Sequence, residues 1–415
     1  MPTTMLRQAA VALISALIGL LASAVATEAV AEATSPDPRN WPAIIDKAKG
    51  QSVYWYAWGG SQAVNDYIGW VGAEMEARYS VVVNEVKLGD TAEAVSRVLA
   101  EKTAGRDQDG AVDLIWINGP NFAAMKEKGL LFGPFAEALP NWRYVDVEGK
   151  PGLRSDFTVP TGGYEAPWNM AQIVFYGDGP ALAAPPASAK ALLDWTKAHP
   201  GRFAFPDPAN FLGASFLKQV LIELTPDRAR LQQPVDDKDF DVVTAPLFAY
   251  LDALEPDLWR QGRAYPANSS ALLGLMADGE IDLALSFNPA EASSAIARGR
   301  LPPSVRSFVF DKGTIGNASF VAIPYNAGHK EGALLLANFL LSPEAQAKKQ
   351  DPTGFGGFTV LSMAKLSAED RVRFEALPRG IATLSTEELG PTLPEPHPSW
   401  MTRIVDAWKR RYGVR

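Results

Sequence analysis

The sequence predicts a two-lobed α/β protein, each lobe a mixed, largely parallel sheet flanked by helices, with crossing strands joining the two. Three observations point there. Strand-like and helix-like segments alternate from residue 41 onward, the order that builds a parallel sheet with helices on its faces. The 415 residues exceed the usual length of one domain, yet no low-complexity linker divides them, so the lobes are expected to interleave along the chain. Two β-rich stretches, Asp156 to Tyr176 and Ser307 to Ile323, each interrupted by a glycine turn, have the pattern of crossings between lobes. The expected layout is a leader over 1–26, a first lobe over 27–160, a second lobe over 161–312, and a return to the first lobe with C-terminal helices over 313–415. Two sequential α/β domains are the alternative.

The elements follow in order. Trp41, Ile44, Ile45 and Ala48 recur at helical spacing, and Gly50 ends that helix. Val53 to Ala57 reads as a buried strand, and Val64, Tyr67, Ile68, Val71 and Met75 mark the inner face of a long helix. Val81 to Val86 is a second strand, Thr91 a helix cap, and Val112 to Ile117 a third strand. Phe203 to Phe205 is a short strand before Asp207-Pro208-Ala209-Asn210 and a helix through Leu224. Ala271 to Met276 is helical and Ile281 to Phe287 a buried strand, after which Asn288-Pro289 opens a helix. Val305 to Phe310 and Ser319 to Ile323 are strands. A helix over Leu334 to Leu341, a Ser342-Pro343 cap and a last amphipathic helix on Trp400, Ile404, Val405 and Trp408 complete the chain.

Composition narrows the class. Arg7, an apolar run from Ala9 to Leu21 and the small residues of Ala24-Val25-Ala26 have the form of a cleaved secretory signal. Ala29-Val30-Ala31 offers a second cleavage site. The run is shorter than the ~20 residues that span a bilayer. There is no cysteine, which removes disulfides, thiol nucleophiles, thiolate metal sites and a lipid-bearing lipobox residue. A free exported protein in the periplasm is expected, held by a hydrophobic core that a chain this long can build. The formal charge of −8 disfavours nucleic acid as a partner.

The run Val53-Tyr54-Trp55-Tyr56-Ala57-Trp58-Gly59-Gly60 resembles the first strand and cleft loop of type II periplasmic solute-binding proteins. Gly89-Asp90-Thr91 and Val112 to Gly119 resemble their later blocks. More narrowly, Leu139 to Asp146, Thr244-Ala245-Pro246-Leu247, Leu283 to Pro289, Glu395-Pro396-His397 and Arg411-Tyr412-Gly413 are similar to the YnjB-like family of ABC-importer binding components. The resemblance spans essentially all of the chain after the leader. It implies the type II periplasmic-binding-protein fold. It also implies a non-catalytic, monomeric binder that delivers a small solute to a membrane permease with its cytoplasmic ATPase. Wider relatives bind thiamine, polyamines or ferric ions, and no binding residue carries over.

In open α/β sheets, ligands sit beyond the carboxyl ends of the strands, at helix starts. That rule selects the candidate site. Trp58, Gly59 and Gly60 follow the first strand, where glycine admits close backbone approach and Trp58 offers a stacking face. Thr91, Asn118 and Asn121 lie on strand-to-helix turns, where capping is the competing role. Tyr164, Glu165 and Trp168 lie in the first crossing and would suit an amphipathic cation. Asn210, Phe287 and Asn288 stand at the starts of second-lobe helices, while Glu291 reads as a complement to a helix dipole. A small cationic or aromatic solute is the expected ligand.

Metal and cofactor chemistry have no support in the pattern. His199, His329 and His397 lack ligand spacing, and no Tyr-Tyr pair occurs. Gly354-Phe355-Gly356-Gly357 has the glycine density of a phosphate loop without its Lys-Ser/Thr, and reads as a flexible surface turn. Two other readings stay open. One is a secreted carboxylate-based enzyme using Glu165 or Asp207 as general acid or base; the other is a sensor adaptor built on the same cleft.

Overall fold

Residues 35–178, 183–385 and 387–413 are described by the structure, a computed structural model; the leader expected over 1–26 lies outside them. Every element below falls within Asp37–Arg415. The first lobe starts with α1 (Trp41–Ala48), β1 (Ser52–Trp58), α2 (Gln62–Tyr79), β2 (Val82–Leu88), α3 (Ala92–Thr103), β3 (Leu114–Ile117), α4 (Pro120–Glu127) and β4 (Glu165–Gln172). The second holds β5 (Val174–Asp178), α5 (Ala189–Ala198), α6 (Phe211–Leu224), α7 (Asp237–Leu254), α8 (Ser269–Ala277), β6 (Leu283–Ser286), α9 (Glu291–Ala297) and β7 (Val305–Phe308). The chain then continues through β8 (Thr314–Ala322), α10 (Lys330–Leu340), α11 (Pro343–Gln350), α12 (Ala368–Glu375), β9 (Thr392–Leu393) and α13 (Pro398–Tyr412). No described helix is long and apolar enough to cross a membrane.

The first sheet runs β9-β8-β3-β1-β2, with β4 on the free flank of β8. β1 takes β2 and β3 as parallel neighbours, as the β-α-β-α-β order requires. β8 is antiparallel to β3 and β4 because it re-enters the lobe from the far side. Val53, Trp55 and Ala57 alternate inward along β1, and α2 covers them with Val64, Tyr67, Ile68, Val71 and Met75. In the second lobe β6, β5 and β7 are antiparallel, and the parallel contact is a bridge between Phe203 and Leu283. The reason is topological: β5 enters that lobe as β7 leaves it. The strand expected at Phe203 to Phe205 is reduced to this bridge.

Two crossings lie side by side. β4 runs into β5 through Ile173, whose N–H donates to Ile315 O at 2.8 Å. Thr314 Oγ1 donates to Ile173 O at 2.6 Å, and the buried Gln219 of α6 accepts from Ile315 N at 2.8 Å. The first passage therefore lies at Ile173, beyond the Gly162-Gly163-Tyr164 turn.

The C-terminal segment departs from expectation. From Ala318 through Leu366 buried apolar side chains pack in the first core, but Ala382, Leu393, Trp400, Ile404 and Trp408 pack in the second. The chain thus passes between lobes a third time. The inner face of α13 finds aromatic partners there, with Trp400 6.2 Å from Phe240 and Trp408 5.0 Å from Tyr265, ring centre to ring centre. The expected return of 313–415 to the first lobe stops short of this helix. Ser342 does cap α11 as expected, accepting from Ala345 N at 3.2 Å with Pro343 at the first position.

Candidate functional site

A cavity of about 410 Å³ lies between the lobes, within the size range of small-molecule sites. Strand ends and helix starts from both lobes form its wall. Trp58, Thr91, Asn118, Asn121, Asn210, Phe287 and Asn288 all line it. Gly59, Gly60, Tyr164, Glu165 and Trp168 do not.

Each absence has a local cause. A Cβ at Gly59 would lie 2.6 Å from Lys87 Cβ, and one at Gly60 would collide with the Trp58 ring. The two glycines make room for neighbouring side chains of their own lobe. Trp168 is fully buried, with its ring centre 5.5 Å from Trp55, 4.8 Å from Trp116 and 5.8 Å from Phe355. It backs the cavity wall from behind. Glu165 is 1% exposed, and neither carboxylate oxygen has a hydrogen-bond partner. Burial holds its carboxyl well above the usual carboxylate range. Tyr164 packs against the first core. Asp207, the other carboxylate considered for hydrolysis, is also outside the lining and accepts from Ala209 N at 2.8 Å. Neither proposed acid-base group reaches the cavity.

Two aromatic walls face the space. Trp58 and Trp116 meet edge to face at 6.4 Å on the first lobe, with Phe355 6.3 Å from Trp116. Phe211 and Phe287 meet at 5.3 Å on the second. Sequence reading missed Trp116, which sat inside a run taken as plain buried strand, and it missed Phe211 and Phe355. The C-terminal helix was expected, but not as part of the site, where its Met401, Thr402, Val405, Asp406 and Lys409 line the cavity.

The charged lining, among the described residues, is Asp90, Glu291 and Asp406 against Lys409. The Glu291 N–H donates to Asn288 O at 3.0 Å, while its carboxylate accepts no hydrogen bond among the described residues; burial pushes the carboxyl up, and Arg300 and Arg298 only partly offset this. Its expected role as a simple dipole complement leaves out this placement. Asn169 adds a buried side-chain oxygen without a partner.

The helix starts around the cavity are not equivalent. Thr91, expected as a cap, instead donates from Oγ1 to Trp116 O at 3.1 Å. The start of α3 is served by Glu93, which accepts from Gly89 and Asp90 N–H, and by Asp90, which accepts from Ala92 N. Asn210 caps α6 at 3.1 Å and Asn268 caps α8 at 3.0 Å. At each of these three helices a side chain of the protein itself takes one of the N–H groups that would invite an anion. α2, α4 and α9 begin without a side-chain cap. α9 starts at Glu291, later than Asn288-Pro289 suggests, because Asn288 Oδ1 accepts from Ala290 N in a turn ahead of the helix.

A buried polar cluster braces the floor. Lys218 Nζ lies 2.6 Å from Glu395 Oε2, and the two side chains are 0% and 1% exposed. Asn317, which lines the cavity, donates to Glu395 Oε1 at 2.9 Å. The Lys218 ammonium also lies 4.5 Å from the Phe157 ring centre and 5.1 Å from that of Phe211. Asp156 accepts from Gly119 N at 2.6 Å, holding the turn that carries Asn118 and Asn121, and burial pushes its carboxyl up to about 8. Among the described residues no group of three or more His, Asp or Glu side chains converges on a metal position.

Residues 70–370 match the family model described as bacterial extracellular solute-binding protein. Protein YnjB of Escherichia coli (strain K12) is 44% identical over 375 residues, covering 90% of this chain and 94% of that protein. Solved structures share the fold at low identity. The periplasmic binding protein AfuA from Actinobacillus pleuropneumoniae, with exogenous fructose-6-phosphate bound, matches with a TM-score of 0.61 at 15% identity, over 88% of this chain and 99% of its own. A periplasmic thiamin binding protein matches with a TM-score of 0.62 at 18% identity, over 88% and 96%.

Proposed function

This chain belongs to the family of bacterial extracellular solute-binding proteins, the solute-capturing components of ABC importers, and we propose that its inter-lobe cavity holds a small organic cation with a flat or apolar part. The observation that carries this reading is the cavity's charge: among the described residues the Glu291 carboxylate has no hydrogen-bond partner, it shares the cavity with two aromatic pairs, and no arginine lines the space. An ammonium or ring cation would pair with Glu291 and stack on Trp58, Trp116, Phe211 or Phe287. The uncapped starts of α2 and α4 can receive a carbonyl, hydroxyl or carboxylate of the same solute. A phosphate ester, such as AfuA holds, would meet three carboxylates and the single ammonium of Lys409. Capture in the periplasm would then shift the lobes toward a closed form that the permease recognises.

A thermal-shift screen over thiamine, spermidine, putrescine, amino acids, neutral sugars and fructose 6-phosphate tests this. A true ligand at a hundredfold excess over Kd should add about 2.7 kcal/mol of stability. Cations are expected to raise Tm. Stabilisation by sugars or fructose 6-phosphate, with none by any cation, would overturn the assignment. Glu291→Gln should weaken cation binding roughly tenfold or more, since hydrogen bonds to charged groups contribute about 1.5–3 kcal/mol. The pH dependence has a defined sign. The empty site favours protonated Glu291 and a bound cation favours the carboxylate, so affinity should rise with pH through the Glu291 titration and lose that rise in the variant.

A further inference from the structure

The glycine-rich run Gly354-Phe355-Gly356-Gly357 is neither a phosphate loop nor a free surface turn: it joins the lobes. One side is anchored in the first lobe. Phe355 lies in that core, and Phe358 and Met170 exchange backbone hydrogen bonds of 3.2 and 3.0 Å. The fully buried Lys349 ammonium donates to Phe358 O at 2.8 Å and to Trp168 O at 2.5 Å. These bonds hold the run from behind.

The other side meets the second lobe. Asn288 Nδ2 donates to Phe355 O at 2.7 Å, and Ser294 Oγ donates to Gly354 O at 2.9 Å. Gly356 has a φ of +72°, and a Cβ there would collide with the Ala290 methyl across the lobe boundary. The backbone contact therefore requires glycine on both conformational and steric grounds. Phe287, Asn288 and Glu291, which flank Ala290, all line the cavity.

We propose that Gly354–Gly357 is a latch between the lobes that positions the 287–291 turn in the solute site and sets how much of the protein is closed. Gly356, Ala290 and Ser294 are positioning residues that act through Asn288 and Glu291. The latch concerns the lobe equilibrium and holds whatever the solute is. Opening the lobes must break both side-chain bonds to the loop, each of which contributes about a two- to tenfold population shift.

The cysteine-free chain permits dye labelling at two introduced cysteines, Glu76→Cys on α2 and Asp241→Cys on α7, both exposed sites on opposite lobes. Single-molecule distances without added solute should show a compact population. Ser294→Ala and Gly356→Ala should deplete it severalfold, and Ser294→Thr should retain it. Adding Ala290→Gly to Gly356→Ala should recover part of the loss, because it removes the colliding methyl. The near-UV circular dichroism signal identifies which variants are folded, and Ser294→Ala alone decides the matter if Gly356→Ala does not fold. The proposal is overturned if the folded variants keep the native distances, if Ala290→Gly rescues nothing, or if the native protein has no compact population. A latch-dependent distribution in a protein that binds no solute of the panel would count against the solute assignment alone.

Discussion

Asp156 shows how far burial reaches at the level of one side chain. It is 1% exposed, one of its oxygens has no partner, and the other takes the Gly119 N–H. Loss of solvation raises its carboxyl most, and the nearby Glu395 charge adds to this against Lys218. Sign follows from linkage. The folded protein keeps a proton that the unfolded chain gives up, so this group's stabilisation is full below the ordinary value of 3.8 and is lost as pH rises to about 8. Asp156→Asn keeps an acceptor for Gly119 and removes the titration. Urea unfolding from pH 5 to pH 8 should therefore show the variant gaining on the native protein as pH rises. Parallel stability curves would show that Asp156 does not titrate across this range.

Among the elements, α13 joins fold to site most directly. Trp400, Ile404 and Trp408 bury one face in the second core, while Met401, Thr402, Val405, Asp406 and Lys409 line the cavity. Trp408→Ala should cost about 3–5 kcal/mol of unfolding free energy, the range for buried Trp truncation, and should weaken solute binding by loosening a wall. A loss below about 1 kcal/mol would mean the helix is not held by this residue. The spacing of these residues revealed the helix but not its lobe, because periodicity reports that a face is buried and not what covers it. The site was legible to the same extent. Trp58, Asn118, Asn121, Asn210, Phe287 and Asn288 follow strands or start helices, so topology alone places them near a cleft. Trp116, Asn169 and Phe355 come into the cavity through strand pairing and loop packing, which no local pattern announces. Tyr164, Glu165 and Trp168 were read one strand too early, because the chain passes between lobes at Ile173.

For the whole molecule, three passages of the chain and a shared hydrogen-bond network at Ile173, Thr314, Ile315 and Gln219 join two separate cores. Such a construction favours rigid lobes moving about a narrow hinge. In the conformation described the lobes touch across the cleft: Arg298 pairs with Asp66 at 3.0 Å, and Ser270 donates to Gly60 O. Exposed pairs of this kind contribute little by themselves, typically about 0.2–1 kcal/mol. A solute that contacts both walls can therefore govern the balance between open and closed forms.

The most direct test of solute capture by closure is the inter-lobe distance, measured by the same dye pair, before and after saturation with the cation that raises Tm most in the screen. The native protein should shift to the compact distance, and Glu291→Gln should stay at its solute-free distribution at that concentration. A cation that binds with measurable heat while the distance stays unchanged would contradict the account.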